Sequence, residues 1–419
     1  MALATLKQSG VISSTMPDIA GRYTVGAMLG EGRFSKVWAG TNVSSGAGVA
    51  LKAIELATLE DGDEAVDALV KEVTSLRRAY EAEQAHVVRL HEVVETPEYL
   101  YLVLDRVEGC ELFELVEQGP LAEPVAREII AQLLAALNAL HRCGVVHCDV
   151  KPENLMVNLT EGAVSTASRV TIIDFGYASL VEPSGAPDQL TGLAGSPEYA
   201  APEVLKWLLD DAAPAYSSAC DVWSVGVTAF VLLCAEPPYE LPDDEGLIES
   251  AVETMKLEFR QPLWAEPAMA DAREFVSACL RIKPSARPTA AQALQHRWLA
   301  QTSGAAMRAP HTRRGTLTVA VRRRVASLKR GRIGRWLGLM SPNKQPKKAT
   351  AKPKPSPRAA PNAEGGTAAV GAPCGALGLA AGIPGMPQKA EQSVSGQPPM
   401  GAAGGAASSS SGGGGCGGG

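Results

Sequence analysis

The sequence predicts an α+β fold with its strands gathered near the front, its helices behind, and a disordered tail after both. Three observations carry this. Short runs of alternating β-formers, separated by glycine turns, fill much of residues 23–104. Apolar residues at helical spacing mark Asp63 to Glu83, and a Leu/Ala-rich run precedes His147. From Lys344 onward the chain turns to Pro, Lys, Ala, Gly and Ser and offers almost nothing to bury.

Length alone would allow two or three domains in 419 residues. Composition reduces this to an N-terminal extension over 1–22, one folded unit over 23–299, a basic segment over 300–342 and a low-complexity tail over 343–419. Charge is uneven. Residues 1–300 carry 22 basic and 43 acidic side chains, a net charge of −21, whereas residues 301–419 hold 17 basic side chains against Glu364 and Glu391 alone. The eight cysteines form no C-x-x-C pair and mostly sit in apolar runs, which suits reduced thiols rather than a disulfide framework. In a reducing compartment the N-x-S/T triplets at Asn42 and Asn158 are incidental. No apolar run approaches the ~20 residues of a membrane-spanning helix, and the N-terminus lacks the apolar stretch of a signal peptide. The expectation is a cytoplasmic monomer. The acid-poor, Ser/Thr/Ala-containing N-terminus leaves an organellar presequence as the alternative.

Tyr23-Thr24-Val25-Gly26 leads into Leu29-Gly30-Glu31-Gly32-Arg33-Phe34-Ser35-Lys36-Val37-Trp38, β-formers flanking a glycine turn. Glycine lets backbone N–H groups approach a phosphate unobstructed, although a plain hairpin turn would read the same. Gly48-Val49-Ala50-Leu51-Lys52-Ala53-Ile54 is an apolar strand with a lysine at its middle. Lys52 needs a partner there, or else the strand lies at an edge with the ammonium in water. In the helix after it, Val66, Leu69, Val70, Val73 and Leu76 share one face with Glu72 beside them. Glu72 is either that partner or one solvated charge among Glu64, Asp67 and Glu81. His86–His91 and Tyr99–Leu104 read as two further strands.

His147-Cys148-Asp149-Val150-Lys151-Pro152-Glu153-Asn154 sets an acid, a base and an amide at two- and three-residue steps, so one short loop can present all three to one small volume. Ile172-Ile173-Asp174-Phe175-Gly176 follows. A lone Asp or Asn in a loop is ordinarily turn chemistry. Four such residues in this order are not.

Together these stretches resemble the Gly-rich loop, V-A-I-K strand, H-R-D-x-K-x-x-N loop and D-F-G of protein kinases, over about residues 23–300. Ser35 at the third glycine position, Glu108-Gly109-Cys110-Glu111-Leu112-Phe113, Pro237-Pro238-Tyr239 and His296-Arg297-Trp298-Leu299 are similar to the calcium/calmodulin-dependent group. The resemblance implies a bilobal fold, with a small β-rich N-lobe and a large, mainly helical C-lobe. It also implies transfer of the ATP γ-phosphate, with Mg²⁺, to protein hydroxyls. Gly30, Gly32, Phe34 and Ser35 would form the phosphate loop. Leu29 and Val37 would cover the adenine, with Ala50 also lining the ATP site, Leu104 behind and Met156 as the floor. Asp105 and Val107 would lie in the hinge, with Glu111 just beyond. Lys52, paired with Glu72, would hold the α/β-phosphates. Asp149 would take the hydroxyl proton, Lys151 would sit by the γ-phosphate, and Asn154 and Asp174 would bind Mg²⁺. Lysine two residues after the aspartate resembles Ser/Thr rather than tyrosine kinases.

Further roles follow from the same resemblance. Ser196 would bond Asp149 and Lys151, Glu203 would pair with Arg287, and Asp221 would hold the catalytic-loop backbone. Glu111 and Glu153 match positions that meet arginines ahead of the target hydroxyl, which implies R-x-x-S/T substrates, in keeping with the −21 net charge. One departure is plain: the arginine expected before the catalytic aspartate is Cys148. A thiol cannot pair with a phosphate on the activation loop, so phosphorylation of Thr191 is expected to be dispensable. Cys148 itself reads as packing, with a redox role as the alternative.

In 301–342, Leu317, Val321, Val325 and Leu328 share a helical face among five basic residues, and Ile333, Trp336, Leu337 and Met340 make a second set. This reads as a calmodulin target and autoinhibitory segment, as a membrane-surface or nuclear-import segment, or as a plain basic linker. Thr316 and Ser327 fall in R-x-x-S/T sites. No EF-hand loop is present, so calcium would act through another protein. No specific nucleic-acid reading arises. The rival to an active kinase is a pseudokinase scaffold with a cationic tail, and only Cys148 speaks for it.

Overall fold

The computed structural model describes residues 2–300, apart from 17, 33–34, 61–62, 83–84, 161, 183–189, 209, 211–212, 243–254 and 256. Phe34, at the tip of the glycine turn, lies outside the described residues, as does all of 301–419 with Thr316, Ser327 and Trp336.

The front half opens with α1 (Ala2–Gln8) and β1 (Ser14–Thr15), followed by β2 (Tyr23–Glu31), β3 (Ser35–Asn42) and β4 (Gly48–Glu55). Next come α2 (Leu56–Glu60), α3 (Asp63–Glu81), β5 (Leu90–Glu95) and β6 (Tyr99–Asp105). The strands form one sheet in the order β1-β5-β6-β4-β3-β2. All neighbours are antiparallel except β1 and β5. α3 buries Val66, Leu69, Val73 and Leu76, the apolar stripe visible in its sequence.

The back half is mainly helical, with short strands. β7 (Cys110–Glu111) and α4 (Leu112–Val116) lead to α5 (Glu123–Arg142), β8 (Val145–Val146), β9 (Leu155–Val157), β10 (Val170–Ile172) and β11 (Ser179–Leu180). α6 (Pro202–Leu205), α7 (Ala219–Cys234), α8 (Ala270–Cys279), α9 (Ala290–Leu294) and α10 (Arg297–Ala300) follow. α7 is buried on every side from Cys220 to Cys234 and mostly apolar, with Asp221, Ser224 and Thr228 as its polar residues, as befits a helix at the centre of a lobe. α5 buries one face, through Ile129, Ile130, Leu133, Leu134, Leu137 and Leu140. The end of the lobe closes on that helix: Trp298 is buried and its indole N–H donates to Glu123 at 2.7 Å.

The architecture is therefore α+β and two-lobed. It differs from the sequence reading in two places. Regular structure begins at Ala2, with an added helix and strand ahead of Tyr23. The strand expected over His86–His91 starts instead at Leu90, because the backbone at 86–88 is engaged elsewhere: Val88 N–H donates to Ile172 O and Ile172 N–H donates to His86 O.

Candidate active site

Between the lobes, the loop after β8 and the turn after β10 meet β4 and α3. Lys52 lies at the middle of β4, flanked by β3 and β6, so the edge-strand alternative does not hold. Its Nζ sits 2.5 Å from Glu72 Oε1 and 3.2 Å from Asp174 Oδ1. Burial works to lower the Lys52 ammonium pKa. The Asp174 and Glu72 carboxylates outweigh it and hold the group above the usual lysine range. The same lysine pulls the Asp174 carboxyl down to about 2. Burial pushes Glu72 upward against the pull of Lys52.

The loop over His147–Asn154 is held from below by Asp221 at the start of α7. Its carboxylate accepts His147 N–H at 2.9 Å and Cys148 N–H at 2.8 Å, and pairs with His141 Nε2 at 2.8 Å. Burial would raise the Asp221 carboxyl, but these donors and the two imidazoles bring it below its ordinary value. His141 was not singled out in the sequence; a histidine in the last turn of an amphipathic helix carries no distinguishing signal. Cys148 is buried with φ +63°, and its thiol points to Val146 O at 3.6 Å.

Asp149 is 5 % exposed and held by three donors. Oδ1 accepts Ser196 N–H at 2.8 Å, while Oδ2 accepts the Asn154 amide at 2.9 Å and faces Lys151 Nζ at 2.9 Å. Lys151 Nζ also donates to Ser196 Oγ at 2.5 Å. Burial would lower Lys151, and Asp149 and Glu153 hold it above its usual range instead. Asn154 gives its second amide hydrogen to Asp149 O at 2.8 Å, which leaves its Oδ1 as an acceptor. Ile173 N–H donates to Asn154 O at 3.0 Å, so Asn154 and Asp174 stand side by side at the ends of β9 and β10. They present hard oxygen donors, too few for an all-protein cage; no group of three or more metal-ligating side chains occurs among the described residues. That donor set fits Mg²⁺, which keeps water and phosphate oxygens as most of its shell. Phe175 packs edge-on against His147, with ring centroids 5.0 Å apart.

Gly195 explains how the later segment comes so close. It has φ +78°, and a Cβ there would stand 2.3 Å from Cys148 O. Thr191 is exposed between two anchors: Leu190 exchanges backbone hydrogen bonds with Tyr216, and the Tyr216 hydroxyl donates to Gly192 O at 3.1 Å. Farther on, Arg287 meets Glu203 through two parallel bonds of 2.5 and 2.7 Å. It also lies over the Trp223 ring, 4.9 Å from the centroid.

The roof and rear of the cleft are also assembled. Gly30 pairs with Val37 across β2 and β3, Gly32 N–H donates to Ser35 O at 2.8 Å, and Leu29 is half-exposed. Ala50 pairs with Leu104, which is buried on β6; Asp105 ends that strand, and Val107 is partly buried just after it. Met156 pairs with Glu111 across β9 and β7. Glu153 lies beside these, its Oε2 buried with no hydrogen-bond partner among the described residues. Burial pushes the Glu153 carboxyl up to about 7, against the pull of Lys151.

The family model described as "Protein kinase domain" matches residues 23–299. A probable myosin light chain kinase of Dictyostelium discoideum is 33% identical over 284 residues, 67% of each chain. Calcium/calmodulin-dependent protein kinase type 1 of Macrobrachium nipponense is 36% identical over 286 residues, 68% of this chain and 76% of the relative. Serine/threonine-protein kinase DCLK3 of Mus musculus is 32% identical over 296 residues, 70% of this chain but 34% of that longer protein.

Proposed function

The chain belongs to the protein kinase family and is a protein serine/threonine kinase resembling the calmodulin-dependent group, and from that premise we propose that it phosphorylates Ser or Thr hydroxyls preceded by arginine. The observation that carries the specificity is Glu153. A buried carboxylate oxygen without a partner is costly, and an incoming guanidinium would satisfy it, with Glu111 adding to the negative field.

A protein kinase domain implies ATP as phosphoryl donor; with Mg²⁺ it supplies an electrophilic phosphorus whose oxygens are partly neutralised. Asn154 Oδ1 and the Asp174 carboxylate would hold the metal. The residues then have separable tasks. Lys52 stays charged through the neutral range and carries the charge of the α/β-phosphates, while Glu72 fixes its position. Asp149, oriented by Ser196, Asn154 and Lys151, aligns the substrate hydroxyl and accepts its proton. Lys151 lies close enough to that carboxylate to stabilise charge on the transferring group.

The basic segment over 301–342 is proposed to regulate the acidic domain, with calmodulin as the relieving partner. Its cationic amphipathic pattern and the relatives' group support this reading. The test is transfer of radiolabelled phosphate from ATP to an R-x-x-S peptide, with and without Ca²⁺–calmodulin, beside Asp149→Ala. Label should pass with the parent and fall about 10²–10⁴-fold in the variant. Equal transfer by the two would remove Asp149 from the chemistry.

A further inference from the structure

The added helix and strand ahead of Tyr23 do not simply cover the sheet; they grip the helix that carries Glu72. We infer that residues 2–16 form a strap that sets α3 at the height where Glu72 reaches Lys52, and that Arg77 is the positioning residue through which it acts.

The strap is tied at both ends. At one end Leu6 and Val11 are 0 % and 1 % exposed and share a core with Val66, Leu69, Val73 and Leu76 of α3. At the other, β1 lies parallel to β5: Ser13 N–H donates to Val93 O at 2.9 Å and Met16 N–H donates to Glu95 O at 2.8 Å. Glu95 accepts from Thr15 Oγ1 at 3.1 Å and pairs with Lys7 at 3.0 Å, which ties α1 to the same strand. Between these anchors the chain turns at Gly10, with φ +68°, and there two carbonyls face α3. Arg77 donates to both, to Gly10 O at 2.7 Å and to Val11 O at 3.0 Å. A planar guanidinium that fills two carbonyl acceptors resists rotation as well as translation of its helix.

Arg77 lies five positions after Glu72 on the same rigid helix. The next residue, Arg78, donates to Cys143 O at 3.3 Å and Gly144 O at 3.4 Å, below the catalytic loop. α3 is thus pinned from the strap on one side and from the catalytic lobe on the other. This gives the helix a fixed position that needs no phosphate on the activation loop, in line with Cys148 standing where a phosphate-binding arginine would be.

The inference rests on the reading of Lys52 and Glu72 as the pair that holds the ATP phosphates, so the experiment separates the two. In the full-length protein, kcat/KM is measured for the parent, Arg77→Ala, Glu72→Gln and the double variant, together with hydrogen exchange of the α3 amides. Leu6→Ala serves as a second probe, placed in the strap itself. Arg77→Ala is expected to lower kcat/KM about tenfold and to speed exchange in α3 but not in α7, with Leu6→Ala moving both in the same direction. In the Glu72→Gln background Arg77→Ala should cost less than about twofold, because its effect is already spent. Arg77→Lys, which can fill one carbonyl, should recover part of the loss. Two results would overturn the strap alone: unchanged kcat/KM in both probes, or the same loss with and without Glu72. A Glu72→Gln enzyme as active as the parent would remove the ion-pair reading and the strap with it.

Discussion

Glu153→Gln isolates the substrate side of the site from its chemistry. The side chain keeps its shape but loses the charge that a substrate arginine would meet. A hydrogen bond to a charged group contributes about 1.5–3 kcal/mol, and each 1.4 kcal/mol is about tenfold in affinity. KM for an R-x-x-S peptide should therefore rise roughly ten- to a hundredfold, with a smaller change in kcat, since Glu153 meets the chemistry only through the field it exerts on Lys151. A peptide with alanine in place of the arginine should respond little.

The parent enzyme supplies an independent test through pH. Burial raises the Glu153 carboxyl from 4.5 to about 7 in the free folded enzyme. Between those values the folded state holds a proton that the unfolded chain has released. The group therefore favours folding most at low pH, and that contribution is lost as pH rises through about 7. Arginine binding runs the other way, because it needs the ionised carboxylate. As pH falls from 8 to 6 the KM of the arginine peptide should climb, approaching about tenfold per unit below 7, while the alanine peptide stays flat. The assay is steady-state phosphorylation of both peptides across that range by parent and Glu153→Gln. A peptide ratio that does not change with pH in the parent, or a variant within twofold of it, would refute the argument.

The remaining predictions concern stability and control. Arg287→Lys keeps the charge but not the two-pronged contact with Glu203, nor all of the bonds to Arg281 O, Ala219 O and Ile282 O. A loss of about 2–3 kcal/mol from charged hydrogen bonds, in a pair whose arginine is fully buried and whose glutamate is partly exposed, should lower Tm by roughly 5–10 °C in thermal unfolding. Thr191→Ala should leave peptide phosphorylation within about twofold, because Cys148 offers no cation for a phosphate there; abolished activity in a folded variant would contradict this. Removing 301–419 should raise activity measured without calmodulin, and unchanged or lower activity would exclude autoinhibition.

How much was legible beforehand depended on what each residue has to do. Phosphoryl transfer confines Asp149, Lys151 and Asn154 to one short loop, and such spacing survives in the sequence whatever surrounds it. Lys52 was visible for a different reason: a lysine inside an apolar strand demands a counter-charge, and α3 offers Glu72 on the side of its apolar face. The strap had neither kind of signal. α1 has seven residues and β1 two, too short for a periodicity that would mark a buried face, although Leu6, and Val11 in the turn between them, are buried. Arg77 spends its donors on backbone carbonyls, which every residue possesses, so no partner type marks it in advance. His141 beneath the catalytic loop does meet a side chain, the Asp221 carboxylate, but a histidine near the end of a helix does not announce it, and Gly195 matters only because Cys148 O lies where a Cβ would be. Positioning residues that sit inside a motif, such as Glu72, Ser196 and Asp221, are announced along with those that meet a ligand, whereas a residue such as Arg77, which acts on backbone carbonyls from outside any motif, emerges only when the chain is folded. That division is why the catalytic carboxylates were found in the sequence and the clamp on their supporting helix was not.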